Sequence, residues 1–530
     1  MRKQKAPFIL CIYLRSILVA GILFFSVSGY ARHQSFDPLT IFTELSCSEL
    51  KAGITLRQIN RIPDSLYKTI ATQLYDGSYP DAKYRIQTYR VYQTPKVSAT
   101  RTKTLHTWGI LDNVTGIYVE KPEDELYILV GETRELEVKL RVQDFTQAWG
   151  EKTFPLHTGL NIVKPGIGLC YMLIFQDTYI PLNPTNEVER EEIDSKSVKI
   201  HFVTGRVNGY YDITHNTGEE SDALITHAQY PYFDVKGKYS QLVWYTEDFR
   251  EAHTDLSKTI TYLDQLVGME IDFAGFFKYS NPYSTRMFFM PSISGKGNPN
   301  ATVERVIFPK VYKNFFANPS EETLLNRAWG IAHEVGHCSQ SNPGLRWGGM
   351  GEVGNNLFSM YVKTQLFGYT KSNMLVENYY EKAKALIIDA KIAHADLSIV
   401  NHYFERLVPF WQLHLYTANI LGYTDLYRDL YEHYRTTPDV GTTFANSGLL
   451  QLDFIRNVCN LTKTNFLDFF KKWGFLAPID VVVNDYGKRI LKITQQDIDS
   501  LIEEIESCHY SKPTHDITTI RDDNFYQFRN

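Results

Sequence analysis

The chain has 530 residues and a formal net charge of -5, with 43% hydrophobic and 22% charged residues. This balance is typical of a folded protein of about two to four domains and excludes a disordered chain. The mild acidity and the lack of any Lys/Arg cluster argue against nucleic-acid binding, because phosphate recognition needs concentrated positive charge.

The first residues have the pattern of an export signal. Basic residues within 2–5 precede an apolar segment at 16–27, and small residues follow within 28–31. The apolar segment is shorter than the ~20 residues that span a bilayer, and no later segment is long and apolar enough. We therefore predict that residues 1–31 are a cleaved signal peptide and that the protein is exported to the periplasm, cell surface or medium. The alternative is an uncleaved anchor over residues 8–27.

The next part of the chain changes from mixed to β-rich. Residues 32–95 are predicted to form a mixed, partly helical segment with an amphipathic helix near residues 64–74. Over residues 96–197, short runs of apolar, β-branched and aromatic residues are separated by Gly, Pro, Asn and Asp. This spacing predicts a β-sandwich-like module.

The remainder first combines strands with helices and then becomes mainly helical. Residues 198–372 include a predicted helix at 321–340, for which Ser320 is a good N-cap, and a second helix at 351–367. Residues 373–530 are predicted to form a mainly helical C-terminal subdomain. The predicted fold class is therefore α+β, with several domains.

The clearest chemical motif is Ala-His-Glu-Val-Gly-His at residues 332–337, inside the first of these helices. His333 and His337 are four residues apart on one helical face, so both imidazoles can reach a single zinc ion. Glu334 can then act as the general base for a zinc-bound water. The alternative is a helix with two surface histidines, but the apolar neighbours make these polar groups costly to bury without a metal.

A catalytic zinc ion needs a third protein ligand and an open position for water. Glu352 opens the next predicted helix after a loop rich in Gly and Pro, which can fold the second helix back onto the first. We predict Glu352 as this ligand; the alternative is a carboxylate that only suits the helix dipole. Asn356 lies one turn further on the same face and is predicted to accept the N–H of a zinc-bound histidine.

The loop between the predicted ligands offers weaker candidates. Trp347, Gly348 and Gly349 either line the substrate cleft or only make the turn. Tyr361 and Tyr403 are candidates to stabilise the oxyanion of a tetrahedral intermediate, since such sites often use a phenol. With 35 tyrosines in the chain, the sequence does not single out one of them.

The cysteines do not indicate a second metal site. Removal of the signal would leave widely spaced cysteines without CxxC spacing, which excludes a zinc ribbon and leaves at least one thiol free. Cys338 adjoins a predicted ligand but points about 100° round the helix. This direction favours a packed thiol over a fourth ligand.

Two segments together resemble a known family. Trp-Gly-Ile-Ala-His-Glu-Val-Gly-His at 329–337 and Gly-Glu-Val-Gly-Asn-Asn at 351–356 are similar to the M60 (enhancin-like, mucin-degrading) peptidase family. The resemblance covers about residues 85–500, and the metal motif is its most specific part. Gly354 departs from the pattern, in which Thr is commoner, and this departure bears on helix packing rather than on metal binding.

The resemblance implies a gluzincin-type zinc site formed by His333, His337 and Glu352, with Glu334 as the base. It places this site in a peptidase subdomain, for which we take residues 198–372, and a β-sandwich-like module ahead of it. Members are typically exported by host-associated bacteria or carried by insect viruses, and several cleave heavily O-glycosylated mucin-type proteins.

We therefore predict a secreted endopeptidase with one zinc ion per chain that cleaves O-glycosylated, mucin-type host glycoproteins and contacts their glycans. One alternative is a catalytically silent glycan-binding or adhesion protein that retains the zinc site, and the intact Glu334 argues against it. The other is a glycoside hydrolase, suggested by export and the many aromatic residues, whose activity would survive removal of the metal.

Overall fold

The computed structural model describes residues 36–147, 150–280, 283–342, 344–437 and 446–529. The predicted signal peptide, residues 1–31, lies outside these ranges. Within them, none of the helices combines the length and the apolar character that crossing a membrane requires.

The N-terminal part carries short helices around the first strands. These helices are α1 (Leu56–Ile59), α2 (Ser65–Asp76), α3 (Ala82–Arg85), α4 (Pro95–Thr102) and α5 (Glu187–Ser195). Helix α2 confirms the helix predicted near residues 64–74. The Asp64 carboxylate accepts the N–H groups of Leu66 and Tyr67 at its start, and Gly77 in the left-handed conformation ends it.

The predicted β-rich region forms two sheets that face each other. Its strands are β1 (Ile86–Tyr89), β2 (Tyr92–Gln93), β3 (Asn113–Val119), β4 (Leu126–Val130), β5 (Val138–Gln143), β6 (Glu151–Leu156), β7 (Gly159–Val163), β8 (Gly168–Gln176), β9 (Val198–Phe202) and β10 (Arg206–Val207). The first sheet has the order β1-β9-β4-β7, and the second has the order β10-β3-β8-β5-β6 with β2 beside β8. Apolar side chains of both sheets share one core, as in a sandwich.

The first sheet extends beyond the predicted limits of the module, residues 96–197. Strand β9 pairs antiparallel with both β1 and β4, so a strand before residue 96 and one after residue 197 belong to the same sheet. The pairing of β1 with β9 joins segments more than 100 residues apart, and no local pattern reveals it.

A third, mixed sheet carries the helices that hold the candidate site. Its strands are β11 (Tyr211–Asp212), β12 (Tyr232–Lys236), β13 (Ser240–Tyr245), β14 (Met287–Pro291), β15 (Asn300–Thr302) and β16 (Arg305–Phe308), in the order β11-β12-β13-β14-β16-β15. Helices that accompany it are α6 (Ser221–His227), α7 (Thr246–Ala252), α8 (Leu256–Phe273), α9 (Lys313–Ala317), α10 (Glu321–Ser339) and α11 (Gly351–Phe367). Strand β15 is an edge strand, antiparallel to β16.

The rest of the chain is mainly helical, as predicted, but includes a β-hairpin. The helices are α12 (Asn373–Val376), α13 (Tyr379–Ala383), α14 (Tyr403–Asn419), α15 (Leu426–Thr436), α16 (Gly448–Thr462), α17 (Leu467–Lys472) and α18 (Gln495–Ser507). The hairpin strands are β17 (Ile479–Asn484) and β18 (Lys488–Ile493). The large core continues from the third sheet into these helices, so the α+β fold class is confirmed.

A buried carboxyl group between the second and third sheets makes stability depend on pH. Asp234 on β12 accepts hydrogen bonds from the Tyr171 hydroxyl (2.9 Å) and the Gln241 amide (3.0 Å). Burial raises the pKa of Asp234 to about 7, although both hydrogen bonds favour the ionised form. The pKa of an aspartate in the unfolded chain is about 3.9. Between about pH 4 and about pH 7 the folded protein therefore carries a proton on Asp234 that the unfolded chain does not. The free energy of unfolding therefore falls as the pH rises from about 4 to about 7.

We expect the unfolding free energy of Asp234→Asn, relative to that of the wild type, to rise by a few kcal/mol as the pH increases from about 5 to about 8. Urea unfolding of both proteins across this range measures the difference. Asp212→Asn is the control. Burial would raise the pKa of Asp212, but Lys236, 3.1 Å away, outweighs burial and lowers it to about 2. Asp212 is ionised in both the folded and the unfolded protein in this pH range. The difference in unfolding free energy between Asp212→Asn and the wild type should therefore stay constant. A constant difference for Asp234→Asn would contradict the prediction.

Candidate metal centre and cleft

Helix α10 presents the two predicted histidine ligands on one face. It begins with a capping box: the Ser320 hydroxyl accepts a hydrogen bond from the backbone N–H of Thr323, and the Thr323 hydroxyl accepts one from the backbone N–H of Ser320. Apolar side chains along the helix are buried in the core. Since one turn takes 3.6 residues, this register turns both His333 and His337 to the cleft that they line.

Helix α11 packs closely against α10 at a glycine. A Cβ atom on Gly336 would lie 2.8 Å from the carbonyl oxygen of Asn355, so only glycine allows this approach. Gly354 is also tight, since its Cβ would lie 3.1 Å from the Leu345 carbonyl oxygen. The close approach brings the first turn of α11 opposite the histidines.

Gly336→Ala is expected to push the helices apart, at a cost of about 1–3 kcal/mol in unfolding free energy, and to weaken zinc affinity. Gly268→Ala on α8 is the matched control. Its Cβ would meet Tyr239 at 3.5 Å, an ordinary contact, so this change should be neutral or stabilising. Denaturant unfolding of both variants measures the effect, and equal stabilities would show that the close approach does not require glycine.

Glu352, in the first turn of α11, lies against both histidines. Its Oε2 is 3.2 Å from Nε2 of His333 and 3.5 Å from Nε2 of His337. Ligand atoms of the three residues all lie within 4.8 Å of one another, the one such group of His, Cys, Asp or Glu found among the described residues. Two imidazole nitrogens and one carboxylate suit a catalytic zinc ion and leave a fourth position for water. The donor set therefore fits zinc.

Asn356 determines which nitrogen of His333 carries the proton. The Asn356 amide nitrogen donates to the carbonyl oxygen of Glu352 (2.7 Å), which leaves its Oδ1 facing Nδ1 of His333 at 2.8 Å. That oxygen only accepts, so Nδ1 must carry a hydrogen and the neutral ring keeps a lone pair on Nε2. The lone pair thus points to the side where Glu352 lies. The Asn356 amide oxygen thus faces the ring of the predicted ligand His333.

Glu352 and the imidazoles beside it shift each other's pKa. Burial would raise the pKa of Glu352, but its contacts with both imidazoles outweigh burial and hold the pKa well below its usual range. Burial would likewise lower the pKa of His333, but the contacts with Glu352 and Asn356 raise it. Glu352 is therefore an anion at neutral pH, as a metal ligand must be.

Asn355, which no motif in the sequence singles out, contacts both histidines of the ligand group directly. Its amide nitrogen lies 3.0 Å from Nε2 of His333 and 2.9 Å from Nε2 of His337. It therefore donates to the same lone pairs that a metal ion would take. The only signal in the sequence is its position next to Asn356.

Glu334 lies beside the histidines but outside the ligand group. It is 7% exposed and lines the cleft. Burial raises the pKa of Glu334, and the nearby charges of His333 and His337 offset this effect only in part. A carboxylate with a raised pKa binds a proton more readily, which suits a general base.

Tyr486, which no motif in the sequence singles out, reaches the site from the distant β17–β18 hairpin. Its hydroxyl donates to Oε1 of Glu352. Burial and the Glu352 carboxylate raise the pKa of Tyr486, so the phenol stays protonated. The next-door Asp485 accepts the N–H groups of Gly349 (3.0 Å) and Gly351 (3.1 Å), which ties the hairpin tip to the loop before α11.

Tyr486→Phe removes only this hydroxyl, and we expect zinc affinity or activity to fall about 10–100-fold because Glu352 loses its orienting donor. Competition with a chromogenic chelator measures the affinity. Tyr75→Phe, an exposed tyrosine on α2, should leave it unchanged. Equal affinities for the two variants would show that the hydroxyl does not orient the carboxylate.

The candidate site opens into a cleft of about 750 Å³. Its lining includes the edge strand β15, the two histidines with Glu334 and Glu352, and a polar wall of His106, Asn342, Arg346, Tyr486 and Arg489. A cleft of this volume can take several residues of an extended chain.

The structure corrects one interpretation of the loop. Trp347 is fully buried, with ring centroids 5.7 Å from Phe454 and 6.0 Å from Phe410, and does not line this cleft. Gly348 and Gly349 are buried too, and the Gly348 N–H donates to Ser447 Oγ at 3.0 Å. None of the three lines the cleft around the histidines, because the tryptophan ring fills the core beneath the loop; Gly349 lines a neighbouring pocket that includes Glu352.

The other weak candidates are not part of the ligand group. Cys338 is buried, and burial raises the pKa of its thiol, as a packed cysteine requires. Tyr361 donates to Asp272 (3.2 Å) on the far side of α11 from the cleft lining. Tyr403 donates to Asn401 (3.2 Å) and lines a neighbouring pocket that also includes Glu352 and Tyr486, but neither tyrosine lines the cleft around the histidines.

Comparison with known proteins gives one family. The model of the family described as Peptidase M60, enhancin and enhancin-like, matches residues 208–474, about half of the chain and the part that holds the histidines and Glu352. No curated protein matches the chain.

Several solved structures share the fold. A metallopeptidase from Bacteroides thetaiotaomicron is 23% identical with a TM-score of 0.77, and the match covers 92% of this chain and 82% of that one. A metallopeptidase in complex with Tn antigen is 22% identical with a TM-score of 0.70, covering 84% and 83%. The M60 catalytic domain of ZmpC from Clostridium perfringens, in complex with the sialyl T antigen, is 17% identical with a TM-score of 0.62, covering 83% and 82%.

Proposed function

This chain belongs to the M60, enhancin and enhancin-like, family of metallopeptidases, and on that premise we propose that it is an exported zinc endopeptidase that cleaves O-glycosylated, mucin-type glycoproteins. The observation that carries the proposal is the convergence of His333, His337 and Glu352 in a cleft beside Glu334. These three residues would hold the zinc ion.

The ion, when bound, supplies Lewis-acid activation of water and of the scissile carbonyl group. Glu334 takes a proton from the attacking water and passes it to the leaving amine. Its raised pKa favours the first transfer, because the carboxylate accepts the proton readily, and the carboxylic acid formed in this way is the proton donor for the second transfer. Attack by water needs no covalent enzyme intermediate.

Strand β15 gives the substrate backbone a place to bind. It ends the third sheet, and Asn300 and Ala301 line the cleft. An extended peptide can therefore add to this edge, with its N–H and C=O groups paired to β15 and alternate side chains facing the enzyme. The scissile bond would then lie across the mouth of the site formed by α10 and α11.

Two similarities support an O-glycosylated substrate. Solved metallopeptidases of this fold are in complex with Tn antigen and, for ZmpC, with the sialyl T antigen. This chain covers more than four fifths of each of them. Export is supported by the signal pattern at residues 1–31, which agrees with a substrate outside the cell.

The test is cleavage of an O-glycosylated mucin and of its enzymatically deglycosylated form by purified residues 32–530. Parallel samples contain a chelator, the chelator followed by excess zinc, or the Glu334→Ala variant. Cleavage of the glycosylated form that is lost in the chelated and variant samples, and restored by zinc, is the expected result. A glycoside hydrolase would release sugars despite the chelator, and a binding protein would retain mucin without cutting it.

A further inference from the structure

The cleft contains a buried arginine whose side chain has no hydrogen-bond or ion-pair partner among the described residues. Arg346 is 4% exposed and lines the cleft beside the ligand group. Its side chain makes no hydrogen bond or ion pair with any described residue, and its Nε–H is buried without an acceptor among them. The guanidinium group lies over the face of Tyr486, 5.9 Å from the ring centroid.

The nearby carboxylates do not neutralise this charge. Asp485 acts on Arg346 from a distance, and its own carboxylate accepts the N–H groups of Gly349 and Gly351. Glu352 faces the two histidines and Tyr486 instead. Acidic residues in the cleft lining are limited, among the described residues, to Glu334 and Glu352, which belong to the metal centre.

A second guanidinium group adds to the positive charge. Arg489 lines the same cleft, and burial together with the charge of Arg489 lowers the pKa of Arg346. Burial, His337 and Arg346 also lower the pKa of His106 to about 4, so this ring is neutral at pH 7 and does not add charge. The wall is therefore cationic, with neutral donors around it.

Burial of an unpaired guanidinium group costs free energy unless an anion completes the site. The planar fork of arginine matches a carboxylate through two parallel N–H donors, which a backbone carbonyl cannot accept in the same way. The missing partner of Arg346 is thus a group that the substrate supplies.

We propose that Arg346, with Arg489 beside it, binds a carboxylate group of the substrate next to the scissile bond. This inference rests on the proposed peptidase function and narrows its substrates to those that carry such a carboxylate. It can come from a sialic acid on the glycan or from an Asp or Glu side chain, whereas binding of a free C-terminus would make the enzyme a carboxypeptidase instead of the proposed endopeptidase.

Three pairs of synthetic O-glycopeptides separate these sources. The first pair differs in the presence of sialic acid, the second exchanges Asp for Asn beside the glycosylated residue, and the third has a free or an amidated C-terminus. Affinity is measured on zinc-loaded Glu334→Gln protein, with and without Arg346→Gln, so that substrates stay intact. Values of kcat/KM with an intact Glu334 are measured in parallel.

We expect one of the first two pairs to favour its carboxylate form about 10-fold or more, as a charge-assisted bidentate contact does, and Arg346→Gln to bring the ratio close to one. Arg346→Lys should keep part of the preference, since it keeps the charge but not the fork. Arg57→Gln, an exposed arginine on α1, is the matched control and should keep the full ratio.

Two results would overturn the inference. One is a ratio near one for all three pairs in the wild-type background; the other is an equal loss for both members of a pair in Arg346→Gln, which would indicate contact with a neutral carbonyl group. Thermal melts and zinc content identify a variant that fails to fold, and Arg346→Lys then carries the comparison. Because affinity is measured without turnover, absence of cleavage by the wild type would count against the peptidase function alone.

Discussion

Glu334→Gln is expected to lower kcat by about 10²–10⁴-fold while the zinc content stays at that of the wild type. The amide has the size of the carboxylate but cannot accept the proton from water. Glu334 is also outside the ligand group, so its replacement should leave the metal in place. Steady-state cleavage of an O-glycosylated peptide and elemental analysis of the same sample measure the two quantities.

Glu322→Gln is the matched control for this change. It makes the same substitution on the same helix, at an exposed position in the first turn, and should keep kcat within a factor of about two. Loss of zinc together with activity in Glu334→Gln would make Glu334 a ligand instead of a base. Retained activity would assign the proton transfer to another group.

His337→Ala is expected to weaken zinc binding by about 10²–10³-fold and to abolish activity at limiting zinc. Zinc sites with four ligands bind with about 10–16 kcal/mol, so each ligand contributes roughly 2.5–4 kcal/mol. His337 is 8% exposed, and its Nε2 lies 3.5 Å from the Glu352 carboxylate. Competition titration with a fluorescent chelator measures the zinc affinity.

His253→Ala tests whether any lost histidine has this effect. His253 is highly exposed and follows α7, far along the chain from the ligand group. Its replacement should leave the zinc affinity unchanged. If His337→Ala also binds zinc like the wild type, the metal lies elsewhere and the peptidase proposal loses its central observation.

Local sequence determines much of the candidate site. The cap at Ser320 and the spacing of His333 and His337 place both imidazoles on one face of α10, because helical geometry depends on neighbours within a few residues. Asn356 lies one turn beyond Glu352 for the same reason, and its contact with His333 follows once the two helices meet. The sequence alone also predicts the β-rich region and the mainly helical end of the chain.

Only the tertiary structure decides which distant side chains complete the cleft. Tyr486 lies 134 residues beyond Glu352 and reaches it because the β17–β18 hairpin folds back onto the loop before α11. In that loop, Trp347 turns into the core while Arg346, its neighbour, lines the cleft. Loop side chains lack the periodicity that assigns a face in a helix or strand, so long-range packing sets their direction.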